Sequence, residues 1–246
     1  MKIFKLLVTS ILLSNSLMAI ADNTNSGWFV GGYGTYTGTS NSATITLDNP
    51  WLTPSHSTQS LTANSGSYGL GIIGGYRGAI SKRFYWTTEL HLTPQEFNGG
   101  NAESSDGVTI NAISKQFYDT EFHLGYTYYS DPRGYKGDIF LATGVAVKPM
   151  QEKVSFASSA QGSFVNIDPT ETKNQLDLGY VIGAGLNFFI GHHNMIRFQY
   201  NYIVYPGQNS ADLNQSFYPP AIIGSLGNIN ISNTDNQFSL AYLYLF

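Results

Sequence analysis

Eight segments of this chain alternate large apolar residues with small or polar ones, and the connections between them are by turns long and short. Alternation at period 2 gives a strand one apolar face and one polar face. The last segment shows the pattern best. Phe238, Leu240, Tyr242, Tyr244 and Phe246 make one face, large and apolar or aromatic. Gln237, Ser239, Ala241, Leu243 and Leu245 make the other, small and polar at first and greasier toward the end. A strand of this kind needs a greasy medium on one side.

The remaining segments follow in chain order. The first strand is expected over residues 27–37, with Trp28, Val30 and Tyr36 opposite Phe29, Tyr33 and Thr35. The second, over 67–77, sets Tyr68, Leu70, Ile72 and Tyr76 against Gly69, Gly71, Gly75 and Arg77. The third, over 83–93, sets Phe84, Trp86, Leu90 and Leu92 against Tyr85, Thr87, Glu89 and His91. The fourth starts within 115–118 and ends at Tyr129; Phe122, Leu124, Tyr126 and Tyr128 oppose Glu121, His123 and Thr127. The fifth, over 138–148, sets Ile139, Leu141, Val145 and Val147 against Asp138, Ala142, Gly144 and Lys148. The sixth runs over 175–188, with Leu176, Leu178, Tyr180, Ile182, Leu186 and Phe188 outward and Asp177, Gly179, Gly183, Gly185 and Asn187 inward. The seventh, over 195–205, sets Ile196, Phe198, Tyr200, Tyr202 and Val204 against Arg197, Gln199 and Asn201.

Residues 38–66, 94–114, 149–174 and 206–235 read as long polar loops, and 78–82, 130–134 and 190–194 as short turns. Segments around Val154 to Phe156 and Ser163 to Ile167 can extend strands beyond their loops. The rhythm and the strand length of about 9–11 residues are those of a transmembrane barrel. The expected fold is an all-β, eight-stranded antiparallel up-and-down transmembrane β-barrel with four long outer loops and short periplasmic turns.

Aromatic residues support this independently. Trp28, Tyr76, Phe84, Trp86, Tyr126, Tyr128, Phe188, Phe198, Tyr244 and Phe246 lie at the short-turn ends of strands, all on the apolar face. Aromatic rings favour the headgroup level of a membrane, so these residues, with Tyr242, are expected to form a periplasmic girdle. They come from seven of the eight strands, and a soluble sandwich has no reason to collect aromatics at one end of so many.

Charged residues are 11% of the chain, well below the roughly 25% of soluble domains, yet mean hydropathy is only -0.12. Alternation produces both values at once, whereas a helical membrane protein would carry apolar runs of about 20 residues. Residues 1–21 have the form of a signal peptide: Lys2 and Lys5, an apolar stretch, then Ala19-Ile20-Ala21. Cleavage after Ala21 leaves residues 22–246 as the barrel domain. There is no cysteine, so disulfides, thiolate metal sites and thiol catalysis are excluded. The formal net charge of -4, without a Lys/Arg cluster, argues against nucleic acid.

GWFVGGYGTYT, GLGIIGGYRGAISKRFYWTTEL, GAGLNFFIGHHNMIRFQYNYI and DNQFSLAYLYLF resemble, respectively, the first strand, second hairpin, sixth and seventh strands and last strand of the OmpA-like small outer-membrane barrels. The resemblance covers about residues 27–246 in pattern. It implies insertion in the outer membrane of a Gram-negative bacterium, with outer-membrane lipid as surroundings. It also implies that the terminal Phe246 is read by the outer-membrane assembly machinery. The sequence ends on the barrel strand, so the family's periplasmic peptidoglycan-binding domain, and with it cell-wall tethering, is not expected.

Few residues could carry chemistry. Gly69, Gly71 and Gly74 satisfy G-x-G-x-x-G but lack the helix that dinucleotide binding requires. Glu89 and His91 on the third strand face inward, as do Glu121 and His123 on the fourth. Counting from the short turns sets Glu89 level with His123 and His91 with Glu121. A metal site or an acid/base pair is conceivable there. The expected role is instead an interior polar network of Arg77, Glu89, His91, Asp119, Glu121, His123 and Arg197, with Gln199, because an eight-stranded barrel is filled by its own side chains and buried charges need partners. Lys148 and Asp177 suggest another pair near the outer rim. His192 and His193 read as exposed turn residues. No strand shows outward His, Ser and Glu together, and Tyr200 and Tyr202 stand where some barrel deacylases carry a His-x-Ser pair, which counts against an enzyme.

The expected function is therefore an integral outer-membrane barrel with a structural or surface-interaction role and without catalysis, cofactor or metal. Any extracellular ligand would meet the outer loops, where Trp51, Leu52, Phe97, Phe156, Phe164 and Phe217 stand among polar residues. The alternatives are a narrow passive pore, which inward glycines would widen, and a barrel enzyme acting on envelope lipid.

Overall fold

A computed structural model describes residues 26–48, 56–94, 97–103, 108–114, 117–133, 135–156, 165–166, 170–217 and 223–246. The strands are β1 (Gly27–Asp48), β2 (His56–Ala79), β3 (Phe84–Thr93), β4 (Phe97–Glu103), β5 (Val108–Ser114), β6 (Phe117–Ser130), β7 (Lys136–Phe156), β8 (Val165–Asn166), β9 (Thr170–Ile190), β10 (Asn194–Phe217) and β11 (Ile223–Leu245). Eight of them are staves of one closed antiparallel barrel in the order β1-β2-β3-β6-β7-β9-β10-β11. The ring closes where β1 pairs β11, from Phe29 opposite Leu245 to Leu47 opposite Gly227. Closure leaves no free edge among the staves through the apolar section, so their backbone donors and acceptors are paired within the sheet. No helix among the described residues is long and apolar enough to cross a membrane, which says nothing of strands.

The alternation read from the sequence is the alternation of burial. Along β10, Met195, Arg197, Gln199, Asn201, Ile203 and Tyr205 are buried, while Phe198, Tyr200, Tyr202 and Val204 are exposed. The fourth barrel strand, β6, begins at Phe117, inside the expected window.

Two expectations need correction. The long connections are not mostly loop. The ladder between β1 and β2 continues to Asp48 opposite His56. Likewise β7 and β9 pair as far as Ser155 opposite Thr170. β10 and β11 follow one another to Ser216 opposite Ile223, with register shifts after Tyr205 and Leu213. Residues 94–114 hold a further hairpin, β4–β5, laid on the outer part of β7. Polar Ser/Thr/Asn stretches present no greasy face, so their pattern predicts loop; the backbone ladder does not depend on such a face and persists without an apolar signal. Pro206 lacks an N–H, and the first shift lies beside it. Val154 to Phe156 and Val165–Asn166 do extend or bridge strands.

The second correction concerns the inward glycines, which do not widen a channel. A Cβ on Gly71 would strike the Tyr33 ring, one on Gly75 the Phe29 ring, and one on Gly185 the Phe140 ring. Each missing side chain is the room in which an aromatic ring from a nearby strand lies.

The interior is layered along the axis. Toward the short turns, Phe29, Tyr33, Ile73, Phe189, Met195, Leu243 and Leu245 form an apolar plug. Toward the extended end, Phe117, Ala146, Val181, Ile203 and Tyr205 form another. The polar residues lie between and around these plugs. Of the short turns, 191–193 holds Gly191 at φ 72°, left-handed backbone that favours glycine. In the turn at 131–133, hydrogen bonds from Arg133 hold the Asp131 carboxyl below the usual carboxylate range.

Candidate functional site

Position parity aims Glu89 and His91 of β3 and Asp119, Glu121 and His123 of β6 at the axis, and all five are buried. The ladder fixes their level. Glu89 is directly opposite Glu121, His91 opposite Asp119, and Thr87 opposite His123. The register is therefore two residues away from the count made from the turns. The β3–β6 ladder runs without irregularity from Phe84 opposite Tyr126 to Thr93 opposite Phe117, so the end of β6 extends past the start of β3 and a count from the turns misplaces the pairs. The imidazole–carboxylate contacts survive as diagonals: His123 Nδ1 lies 3.2 Å from Glu89 and His91 Nδ1 lies 3.7 Å from Glu121.

Two carboxylates face each other, so cations and amides crowd around them. Arg197 of β10 donates to Glu89 through Nη1 and to Asn187 through Nε at 2.8 Å. Its guanidinium lies 5.0 Å from the Phe140 ring. Glu121 accepts from His123 Nε2 at 2.7 Å, Gln199 at 2.6 Å and Asn201 at 2.6 Å. Glu89 also accepts from Thr87 at 2.8 Å and meets His91 Nε2 at 3.2 Å. His91 Nδ1 lies 2.9 Å from Asp119. His123 stacks on Phe140 with centroids 4.5 Å apart.

Arg77 is not in this cluster. It pairs with Asp138 at 2.8 Å and lies over the Tyr85 ring at 3.4 Å. Asn187 links the two groups by donating to the Tyr85 hydroxyl at 3.1 Å. At the other end, Lys148 stands in register with Asp177, but its ammonium reaches Asp235 at 2.9 Å, which also accepts from Thr39 at 2.7 Å. The sequence pattern predicts Asp138, Asn187 and Asn201 on inward strand positions and Asp235 at the end of a loop, none with an assigned partner; Asp235 lies in β11. Inward parity flags them, but only cross-barrel distances show whom they meet.

Outside, Trp28, Phe84, Trp86, Tyr126, Tyr128, Phe188, Phe198, Tyr242, Tyr244 and Phe246 all project from the wall. Many touch: Trp28 with Tyr76 at 5.3 Å, Tyr76 with Trp86 at 5.7 Å, Phe84 with Tyr126 at 5.1 Å, and Tyr244 with Phe246 at 5.2 Å. Reading from the short-turn ends missed a second row. Tyr36 meets Tyr68 at 5.0 Å and Tyr200 meets Phe238 at 4.9 Å, with Tyr180 and Tyr202 exposed at similar height. Four strands carry the rows eight positions apart: Trp28 and Tyr36, Tyr76 and Tyr68, Phe188 and Tyr180, Phe246 and Phe238. Between the rows the wall is aliphatic, with Leu70 73% and Leu141 70% exposed. His192 and His193 are exposed in their turn; His193 Nδ1 contacts the Leu245 carbonyl at 2.8 Å and its ring stacks on Tyr244.

No protein-family model matches the chain, and comparison with curated proteins finds no match. Resemblance to the OmpA-like family therefore rests on its motifs. Among solved structures, the chain is similar to the outer membrane protein OprG from Pseudomonas aeruginosa (15% identity, 90% of this chain and 97% of that one, TM-score 0.49). It is also similar to Ail, the attachment invasion locus protein of Yersinia pestis (14%, 88% and 99%, TM-score 0.36), and to the outer membrane protease OmpT from Escherichia coli (9%, 93% and 100%, TM-score 0.40). At these values the likeness carries no argument about function.

Proposed function

We propose that the chain is an integral outer-membrane barrel whose interior is closed by apolar plugs around a buried polar network and whose work is done by what projects from the membrane. The observation that carries this reading is the contrast between the two sides of one wall. Ionic residues are buried inside, while Leu70, Ile72, Leu124, Leu141 and Ile182 are bare outside. Water would not tolerate an apolar band encircling the molecule, since exposed apolar patches on soluble monomers rarely exceed a few hundred Å². The two aromatic rows give the band its edges. Eight residues at about 3.3 Å each, tilted by roughly 40°, rise about 20 Å, near the height of a barrel's apolar band.

A passive pore is disfavoured by the two apolar plugs and by rings lying against the inward glycines. An enzyme is disfavoured because the candidate acid/base groups are buried within the lumen. The surface role is supported by length. Asp48 lies twelve positions beyond Tyr36, so the β1–β2 hairpin continues roughly 40 Å along the strand past the outer aromatic row. Spanning a bilayer does not require that extension. Trp51, Leu52 and Phe164 lie outside the described residues; Phe97, Phe156 and Phe217 belong to extended strands. An unknown extracellular ligand would bind there, and outer-membrane lipid, the outer-membrane assembly machinery and cleavage after Ala21 belong to the same proposal.

The deciding experiment is planar-bilayer recording of refolded protein. A closed barrel leaves the bilayer at its baseline, and discrete single-channel steps from protein shown to be folded by heat-dependent gel mobility would replace this reading with the pore.

A further inference from the structure

The network sets the Nδ1 atoms of both imidazoles against carboxylates, His123 against Glu89 at 3.2 Å and His91 against two of them. His91 Nε2 points at Glu89, 3.2 Å away. With its proton there, Nδ1 carries a lone pair, and what it faces is two carboxylates: Asp119 at 2.9 Å and Glu121 at 3.7 Å. A lone pair aimed at two anions is repelled, so a positive centre, either a second proton or a metal ion, must stand there. Asp119 adds a second sign. It is 1% exposed, and neither carboxylate oxygen makes a hydrogen bond, even though His91 is so near. The imidazole is close to Asp119 but not aligned to donate to it.

Charge gives a third. Three carboxylates, Glu89, Asp119 and Glu121, meet here, and the permanent cation beside them is Arg197, which sits on Glu89. Arg77 pairs with Asp138 and Lys148 with Asp235. Two negative charges, those of Asp119 and Glu121, have imidazoles and amides for company. One divalent ion would balance them.

We propose that His91, Asp119 and Glu121 bind a single divalent transition-metal ion of the Zn2+ type. Their ligand atoms all lie within 4.8 Å of one another. The distances of 2.9 and 3.7 Å bracket the edge of about 3.4 Å expected between ligands of a tetrahedral ion with bonds near 2.0–2.2 Å. One imidazole with two carboxylates suits zinc better than calcium or magnesium, which prefer oxygen alone. Glu89 then acts as a positioning residue: it accepts the Nε2 proton, fixes the tautomer and turns Nδ1 toward the ion, the arrangement usual for metal-bound histidine. The ladder supplies the rest, since Asp119 and Glu121 are two apart on one face of β6 and His91 is directly opposite Asp119.

The site is lidded. Tyr33 and Thr93 hydrogen-bond to one another across it, and Phe117, Ile203 and Tyr205 plug the lumen beyond. The ion therefore enters as the barrel closes and afterwards resists chelators.

The test uses untagged mature protein refolded into detergent micelles with and without Zn2+, then treated with EDTA, desalted and assayed by elemental analysis. The expected result is about one zinc per folded chain when zinc is present during refolding, and background when it is added afterwards. Asp119→Asn and Glu121→Gln, made separately, bring the zinc-refolded protein to background, while a His192→Asn/His193→Asn variant keeps its zinc. Co2+ loaded in the same way gives visible d–d bands of a four-coordinate ion, which the two carboxamide variants lack. Heat-dependent mobility shows that each sample is folded. Folded wild type without zinc overturns the proposal. So does equal zinc in wild type and both carboxamide variants, or loss of zinc on changing the turn histidines.

Discussion

Replacing Arg197 with methionine tests whether the lumen is dry. The arginine is 1% exposed, donates to Glu89 and Asn187, and lies between the Phe140 and Phe29 rings at 5.0 and 5.8 Å. Methionine keeps much of the stem and removes the charge and its donors. Glu89 is left with Thr87 and imidazole contacts, and Asn187 Oδ1 loses its donor. Removing one partner of a buried ion pair costs about 3–5 kcal/mol, because the remaining charge has no solvent to turn to. Glu89→Gln removes the other partner. If the two groups act on each other, the double variant loses about 2–3 kcal/mol less than the sum of the singles. Equilibrium unfolding in guanidinium chloride, in micelles, reads these differences through the emission of Trp28, Trp51 and Trp86. An Arg197→Met loss below about 1 kcal/mol, with additive singles, is the behaviour of a solvated surface pair. It would show the lumen to be wet and refute the closed-plug reasoning.

Three other outcomes follow from the same geometry. Gly125→Ala puts a methyl into the Tyr85 ring and should cost about 1–3 kcal/mol, recovered in part by Tyr85→Leu; Gly144→Ala meets the Thr120 carbonyl, which cannot step aside, and no such second change should restore its unfolding midpoint. Leu141→Arg, at mid-height of the aliphatic belt, should cost about 2–4 kcal/mol in vesicle-refolded protein, while Tyr135→Arg beside the short turn should cost about 0–1 kcal/mol; equal effects would remove the membrane assignment. Lys148→Met strands Asp235 and should cost about 3–5 kcal/mol, with the loss reduced when Asp235→Asn is added, both measured by denaturant midpoint.

The barrel was legible because alternation, turn spacing and strand count are local and all agree. Which residues face inward follows from parity alone, so Glu89, His91, Glu121 and His123 could be named before any coordinates. Who meets whom could not. Register is set by the ladder itself, in which Phe84 of β3 stands opposite Tyr126 and the end of β6 runs on past it, a stagger that a count from the turns does not see. The partner of Lys148 was equally hidden. The neighbouring strand offers Asp177, but the ammonium reaches Asp235 of β11, because a narrow lumen brings side chains of non-adjacent strands together. Glycine was legible only as absence. That Gly185 makes room for Phe140, rather than for solvent, depends on a ring arriving from another strand.

The buried charges themselves raise a question that stability does not answer. Apolar residues of similar volume in place of a buried ion pair are often neutral or stabilising. By that measure a barrel with an apolar interior would be firmer, and this one already has apolar plugs at both ends of its polar centre. What would be lost is the difference between faces. Strands apolar on both sides no longer specify register, since a slip by one residue moves one greasy set where another was. Glu89, Glu121, His123 and Arg197 make such a slip costly, because it would carry ionic groups from the lumen into the lipid-facing wall. Alternation also keeps each segment half polar while the chain is unfolded, consistent with a mean hydropathy of -0.12 in a molecule whose folded exterior is an apolar belt. The interior charges thus act on specificity and on the unfolded chain, and the proposed ion takes its place among them by balancing Asp119 and Glu121 where His91 faces both.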